Sequence, residues 1–161
     1  MYLYIILAVV TIIEIVLTAR MDIKERKIYT FPIFMMSLSW LSYLFSTREY
    51  TWQFLFGYAA LNLSAWLMFN RIKMWGEGDS DLFLALSNIL LATVGNVGGS
   101  TILFLECMAI FFVMAFAIII GFVESEVKKE KLKLSSKVAV APGFAVVIIV
   151  ILIIGVIGRI I

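Results

Sequence analysis

Apolar runs separated by short polar stretches govern this chain from end to end. The first run covers about Met1 to Thr18, and charges follow it: Arg20, Asp22, Lys24, Glu25, Arg26 and Lys27. The second is roughly Ile28 to Phe45, with Pro32 tolerable in a first helical turn. A loop at Ser46 to Thr51 leads to a third run, Trp52 to Phe69. A polar turn, Asn70 to Asp81, precedes a fourth run from Leu82 to about Val94. Gly95 to Ser100 is the next turn, and Thr101 to Val123 the fifth run. Glu124 to Lys137 is the only long charged segment, and a sixth run begins near Val138. Runs of about 20 apolar residues match the length that crosses a hydrocarbon layer as a helix. The pattern predicts an all-α membrane protein: one polytopic domain over 1–161, with helices at about 1–18, 28–45, 52–69, 80–94, 101–123 and 138–161.

Composition agrees. Of 161 residues, 63% are hydrophobic and only 15% charged, too apolar for a soluble domain of this size. The first run lacks the basic start and small-residue cleavage site of a secretory signal, so it reads as a retained helix. The fourth run, about 13 apolar residues, is short enough to be re-entrant. Charge decides against that. With six crossings the cytoplasmic loops hold Arg20, Lys24, Arg26, Lys27, Arg71, Lys73 and the five lysines between Lys128 and Lys137, leaving Arg48 and Arg159 outside. That satisfies the positive-inside bias and puts both termini outside. The lysine-rich loop reads either as a topology determinant or as a binder of anionic lipid.

Chemistry is limited by what is missing. The sequence has no histidine and one cysteine, Cys107. Zinc sites, His-based metalloprotease motifs and His-containing triads are excluded, and no metal or cofactor is expected. Carboxylates remain. Asp79 follows Gly76-Glu77-Gly78. Both glycines are expected to permit backbone angles that side chains forbid, and Asp79 is expected to cap the helix that follows. The six-helix layout places Asp22 and Asp79 on one side of the membrane. Two carboxylates sharing a site cannot both ionise easily, so the pair holds one proton. One can then activate water while the other polarises a carbonyl.

Gly76-Glu77-Gly78-Asp79 resembles the Gly-x-Gly-Asp signature of intramembrane aspartyl proteases. Asp22-Ile23-Lys24-Glu25-Arg26-Lys27-Ile28 resembles the Asp-x-Lys/Arg-x-Arg-x-Ile segment of the type IV prepilin peptidases, which include the archaeal preflagellin peptidases. Pro142-Gly143 is similar to a Pro-Gly element at the start of that family's sixth helix. The resemblance implies six helices and an active site at the cytoplasmic membrane face. Asp22 and Asp79 are the implied catalytic pair, supported by Gly76, Gly78, Lys24, Arg26, Pro142 and Gly143. It implies a multi-pass prokaryotic plasma-membrane endopeptidase that removes leaders from pilin-like or archaellin-like precursors, with no nucleic-acid partner. Three positions depart from the pattern. Tyr29-Thr30 stands where the family has Pro-Asn, Asp81 where it commonly has Lys, and the zinc-binding insert is missing, so no N-methyltransferase activity is expected.

Asp81 is open to two readings, a helix-start stabiliser or, with Glu77, a contact for the basic leader. Glu14 and Glu106 fall at membrane depth, where an ionisable group suggests function. The plainer reading is an inter-helix bond, through Asn62 or Asn88. Tyr2, Tyr4, Tyr50, Trp52 and Trp75 read as interfacial anchors. The competing functions are a small proton-coupled transporter with Glu14, Glu106 and the Asp pair as a relay, and a non-catalytic assembly subunit. The transporter reading is weakened because the Gly turn lies at the interface rather than at mid-membrane.

Overall fold

A computed structural model describes residues 2–47, 49–72, 76–95, 97–128 and 139–160, with only the backbone described for Glu77 and Lys128. These residues form six helices: α1 (Tyr2–Glu25), α2 (Thr30–Thr47), α3 (Trp52–Ile72), α4 (Glu77–Val94), α5 (Gly99–Lys128) and α6 (Ala141–Ile160). Three of them, at Tyr2–Glu25, Gly99–Val127 and Ala141–Ile160, are long and apolar enough to cross a membrane. Their outward faces are apolar, as at Ile6, Val9, Ile13, Phe104, Phe111, Ile154 and Ile157. Such a face suits a lipid surround rather than water.

The fourth and shortest apolar run supplies the centre of the bundle. Helix α4 packs on α2, α3, α5 and α6, while α1 packs on α6 and α2. Leu82, Ala85, Leu86, Ile89, Leu91 and Ala92 are almost completely covered. Helices around it cover most of α4, so it does not need the outward apolar face that α1 and α5 carry.

Several helices run past the limits of their apolar runs. Helix α1 was expected to stop near Thr18 but continues to Glu25, because its polar tail is itself a fair helix former. Asp22 therefore lies on the last turns of α1 rather than in a loop. Arg26 ends that helix with φ 54°, a left-handed cap more usual for glycine. Helix α5 likewise extends beyond Val123 to Lys128, and α4 begins at Glu77 rather than residue 80.

Two expected anchors are core residues instead. Tyr4 is buried against Trp40 and Tyr43, bonds to Thr93 at 2.7 Å, and lies under the Arg159 guanidinium. Tyr50 is buried and donates to the Gly95 carbonyl. A phenol has both an apolar ring and a donor, and inter-helix partners satisfy the donor as well as an interface does. Tyr2 and Trp52 are exposed; Trp75 lies outside the described residues, as does most of the lysine-rich loop.

Candidate active site

Three helix ends meet at one end of the bundle: the C-terminal end of α1 and the N-terminal ends of α4 and α6. Each contributes one element of the site.

Helix α4 contributes Asp79. Gly76 is the residue before its first turn, and Asp79 N–H and Ser80 N–H both donate to the Gly76 carbonyl, at 3.1 and 3.2 Å. Asp79 is thus the third helical residue, not the cap itself. Its Oδ2 reaches back to accept the Gly76 N–H at 3.2 Å, the carboxylate half of a capping box. The glycines serve a different purpose from the one expected. Gly76 has φ −63°, and Gly95 is the only described glycine with positive φ. What Gly78 provides is space: an added Cβ would stand 2.5 Å from Ile28 Cβ. Gly78 thus lets the segment after α1 lie directly on the start of α4.

Helix α1 contributes Asp22. Its Oδ2 accepts the Ala141 N–H at 3.1 Å. Ala141 opens α6, where Gly143 and Phe144 already donate to the Val140 carbonyl and Pro142 has no N–H to give. Asp22 therefore caps α6 from another helix, at the positive end of its dipole. Gly143 keeps α6 there, because a Cβ on it would run into the Val113 carbonyl oxygen of α5. Pro142 and Gly143 act as parts of the site by holding the N–H that holds Asp22.

Both carboxylates are nearly covered, Asp22 at 7% exposure and Asp79 at 8%. Both lie at the polar ends of their helices, Asp22 beyond the apolar run that ends at Thr18 and Asp79 before the one that begins at Leu82. Burial pushes the Asp79 carboxyl up, the Asp22 charge pushes it further, and the Gly76 N–H opposes them, leaving it at about 6. Burial outweighs the rest and leaves the Asp22 carboxyl raised as well, although the Ala141 N–H, Arg26 and the Val140 N–H pull it down, and Glu124 adds to the rise. Asp79 Oδ1 is buried and has no hydrogen-bond partner among the described residues. The arrangement can hold one proton between two carboxylates, with one oxygen available to a substrate or water.

Of the supporting residues, Arg26 donates to both Glu124 oxygens at 2.7 and 2.8 Å, tying the end of α1 to α5. Lys24 is exposed. The side chain of Glu77 lies outside the described residues. Asp81 turns away from the pair: two residues along a helix rotate a side chain by about 200°. Asp81 Oδ1 instead accepts the Trp66 indole N–H at 2.9 Å. It lines a groove between α2, α3 and α4.

Sequence reasoning missed the Ala141 N–H, Trp66 and Glu124. A proline two residues into a helix marks where the N–H groups are free, and that signal was available for Ala141. Nothing local marked Glu124 or Trp66. Glu106 does bond to Asn62, at 3.2 Å, whereas Asn88 bonds to Ser37, at 2.9 Å. No protein-family model, characterised protein or solved structure matches this chain.

Proposed function

We propose that this chain is a membrane aspartyl endopeptidase that removes the leader peptide of type IV prepilin-like or archaellin-like precursors. In this reading all six helices cross a prokaryotic plasma membrane, both termini lie outside, and the Asp pair works at the cytoplasmic face. The single observation that carries it is the pairing itself. Asp22 and Asp79 come from different helices, are both buried, and interact strongly enough for one charge to raise the other's carboxyl.

The roles follow from the partners. Asp22 accepts a backbone N–H at a helix N-terminus, which favours its charged form. Asp79 carries the proton. Asp22 takes a proton from water as the water oxygen bonds to the scissile carbonyl carbon. Asp79 gives its proton to the carbonyl oxygen, forming a gem-diol. In the second step Asp22 passes its proton to the leaving nitrogen, the C–N bond breaks, and a gem-diol proton returns to Asp79. One water is consumed and the pair is restored.

The apolar helix of such a precursor can remain in the bilayer while its leader stays at the depth of the pair. A glycine at the cleavage point eases local unwinding, since glycine disfavours helix. A proton relay through Glu14, Glu106 and the pair is less well supported. Glu106 meets α4 near Ser87, about 12 Å along that helix from Asp79.

The test is incubation of the purified protein in detergent with a prepilin-like peptide. One cut between leader and apolar helix is expected, and an intact peptide in the presence of folded protein would sink the reading. Topology is checked separately, with Cys107 replaced and single cysteines at Ser100 and Ser135. Ser100 should label only from outside and Ser135 only from the cytoplasm.

A further inference from the structure

Two cavities adjoin at the end of the bundle away from Asp22. The first is a trough of about 480 Å³ between α4, α5 and α6. Leu90, Leu105, Phe112, Val147 and Ile151 are among its walls, and Thr93 supplies its one hydroxyl. That hydroxyl is already engaged by Tyr4 and the Ile89 carbonyl, at 2.7 and 2.8 Å, so the trough offers nothing polar to a ligand. Phe112, Val150 and Ile154 are exposed, so it opens sideways on the face of two helices long and apolar enough to cross a membrane. From Leu105 to Phe116 it follows α5 for roughly 16 Å. A helix about 10 Å across fills roughly 1,200 Å³ over that length, so the trough takes an extended chain rather than a helix.

The second cavity, about 680 Å³, has charge. Thr93, Val94 and Ile154 line both cavities. Beyond them the second is lined by Glu49, Gly95, Gly158 and Arg159. A Cβ built on Gly95 or Gly158 would meet nothing within 4 Å, so this space is not filled by the protein. The Arg159 guanidinium is held in place. It lies 3.7 Å above the Tyr4 ring and donates to the Gly155 and Ala92 carbonyls, at 3.0 and 2.6 Å. Those bonds use two of five N–H donors and leave the rest for an acceptor. Among the described residues no carboxylate pairs with Arg159. Glu49, an exposed side chain, brings the opposite charge to the same cavity.

A molecule that fits both cavities has an anionic group for a fixed guanidinium, a cationic group for Glu49 and an apolar chain for the trough. Guanidinium and phosphate match in geometry as well as charge, and basic pockets between membrane helices hold lipid headgroups. We propose that the two cavities together bind one zwitterionic phospholipid of the phosphatidylethanolamine class. Its phosphate sits on Arg159, its ammonium lies toward Glu49, and one acyl chain fills the trough. The site lies at the opposite end of the bundle from the Asp pair and does not depend on the protease reading. Glu49 gives it selectivity, because it attracts the ammonium and repels a headgroup with net negative charge.

The experiment is native mass spectrometry of the purified full chain in mild detergent. The protein is loaded with equal amounts of phosphatidylethanolamine, phosphatidylglycerol and diacylglycerol carrying the same chains. The wild type should retain one phosphatidylethanolamine per chain, several-fold more than either of the others. Arg159→Gln should bring both phospholipids down to the diacylglycerol level. Glu49→Gln should raise phosphatidylglycerol to the level of phosphatidylethanolamine. Val150→Trp, which puts bulk into the trough from an exposed position, should cost retention of phosphatidylethanolamine. Free phosphoethanolamine, which has the headgroup and no chains, should not displace the lipid. Arg159 also supports Tyr4 and Ala92, so if Arg159→Gln does not fold, Glu49→Gln and Val150→Trp decide by the same measurement. Equal retention of all three lipids by the wild type overturns the proposal in favour of boundary lipid alone. So does unchanged retention in folded Arg159→Gln or Val150→Trp. A wild type that holds the two phospholipids equally, an unchanged preference in Glu49→Gln, or displacement by phosphoethanolamine overturns the assignment of headgroup and chain to these cavities.

Discussion

Asp22 and Ala141 stand 119 residues apart, yet the side chain of the first caps the helix that begins at the second, at 3.1 Å. This one bond fixes a carboxylate from α1 against the N-terminal end of α6 and beside Asp79 of α4. It makes the site sensitive to anything that moves α6.

Asp22→Asn and Asp79→Asn should each abolish peptide cleavage while leaving the protein folded. Asparagine keeps an acceptor oxygen, so Asn at 22 can still cap Ala141, and Asn at 79 can still accept from Gly76. What each variant loses is the ability to share a proton. Members of a catalytic unit are not additive, so either change should cost on the order of a thousandfold or more. The check is single-turnover cleavage beside a melting curve for each variant. Turnover within tenfold of wild type by either folded variant removes the dyad mechanism.

The pH dependence follows from Asp79. Its carboxyl, ordinarily at 3.8, stands at about 6 in the fold. In the proposed mechanism the acid form polarises the carbonyl, so kcat/KM should fall as pH rises through about 6. Stability should change in the same direction. A raised carboxyl binds its proton more tightly when folded. Its stabilising contribution is therefore full below 3.8 and lost as pH rises through about 6. The loss is up to about 3 kcal/mol from the shift alone. Asp79→Asn should flatten that part of the stability profile. A profile of stability against pH that is the same in wild type and Asp79→Asn would contradict the assignment.

Gly143→Ala should disable the site without touching a carboxylate. The new methyl would meet the Val113 carbonyl oxygen and lie 3.1 Å from the Ala117 nitrogen. Both are backbone atoms of α5 and cannot rotate away, so α6 must shift and carry Ala141 with it. Overpacking of this kind costs about 1–3 kcal/mol, and cleavage should fall further than stability does. Gly158→Ala is the matched control, since nothing stands within 4 Å of a Cβ there. Equal behaviour of the two variants would separate the position of α6 from catalysis.

The sequence carried the helices and the two Asp, and hid what joins them. Apolar runs with charges between them mark six helices because side-chain hydropathy acts locally. Asp22 and Asp79 were legible because few other acid–base groups exist in a chain without histidine. The Ala141 cap depends on how α1 and α6 pack, which no local pattern encodes. The same holds for Gly78, where turn chemistry suggested a special backbone angle and the reason is contact with Ile28. Tyr4 near the start of a run looked like an anchor, and only the packing of Trp40, Tyr43 and Arg159 around it shows a core residue.

Asp81 separates the two readings of acidic charge near the site. As a leader contact it would attract a basic residue just before the scissile bond, and the attraction would weaken in salt. The fold points elsewhere. Asp79 is near enough to Asp22 for that charge to raise it, and Asp81, two residues on along α4, is turned about 200° from it, with Trp66 donating to it at 2.9 Å. A charge turned away from the pair and held by an indole N–H is poorly placed to read the leader. Asp81→Asn keeps an acceptor for Trp66 and removes the charge. It should therefore change cleavage of peptides with Lys or Glu before the cut by the same factor, within about twofold, in low salt and in high. Asp81→Leu also removes the acceptor and leaves the Trp66 N–H without it. That should cost about 1–3 kcal/mol of stability, again without discriminating between the two peptides. The measurement is a pair of kcat/KM values for each variant at two salt concentrations. A loss confined to the Lys peptide, and narrowed by salt, would return Asp81 to leader recognition and require the leader to cross over the start of α4.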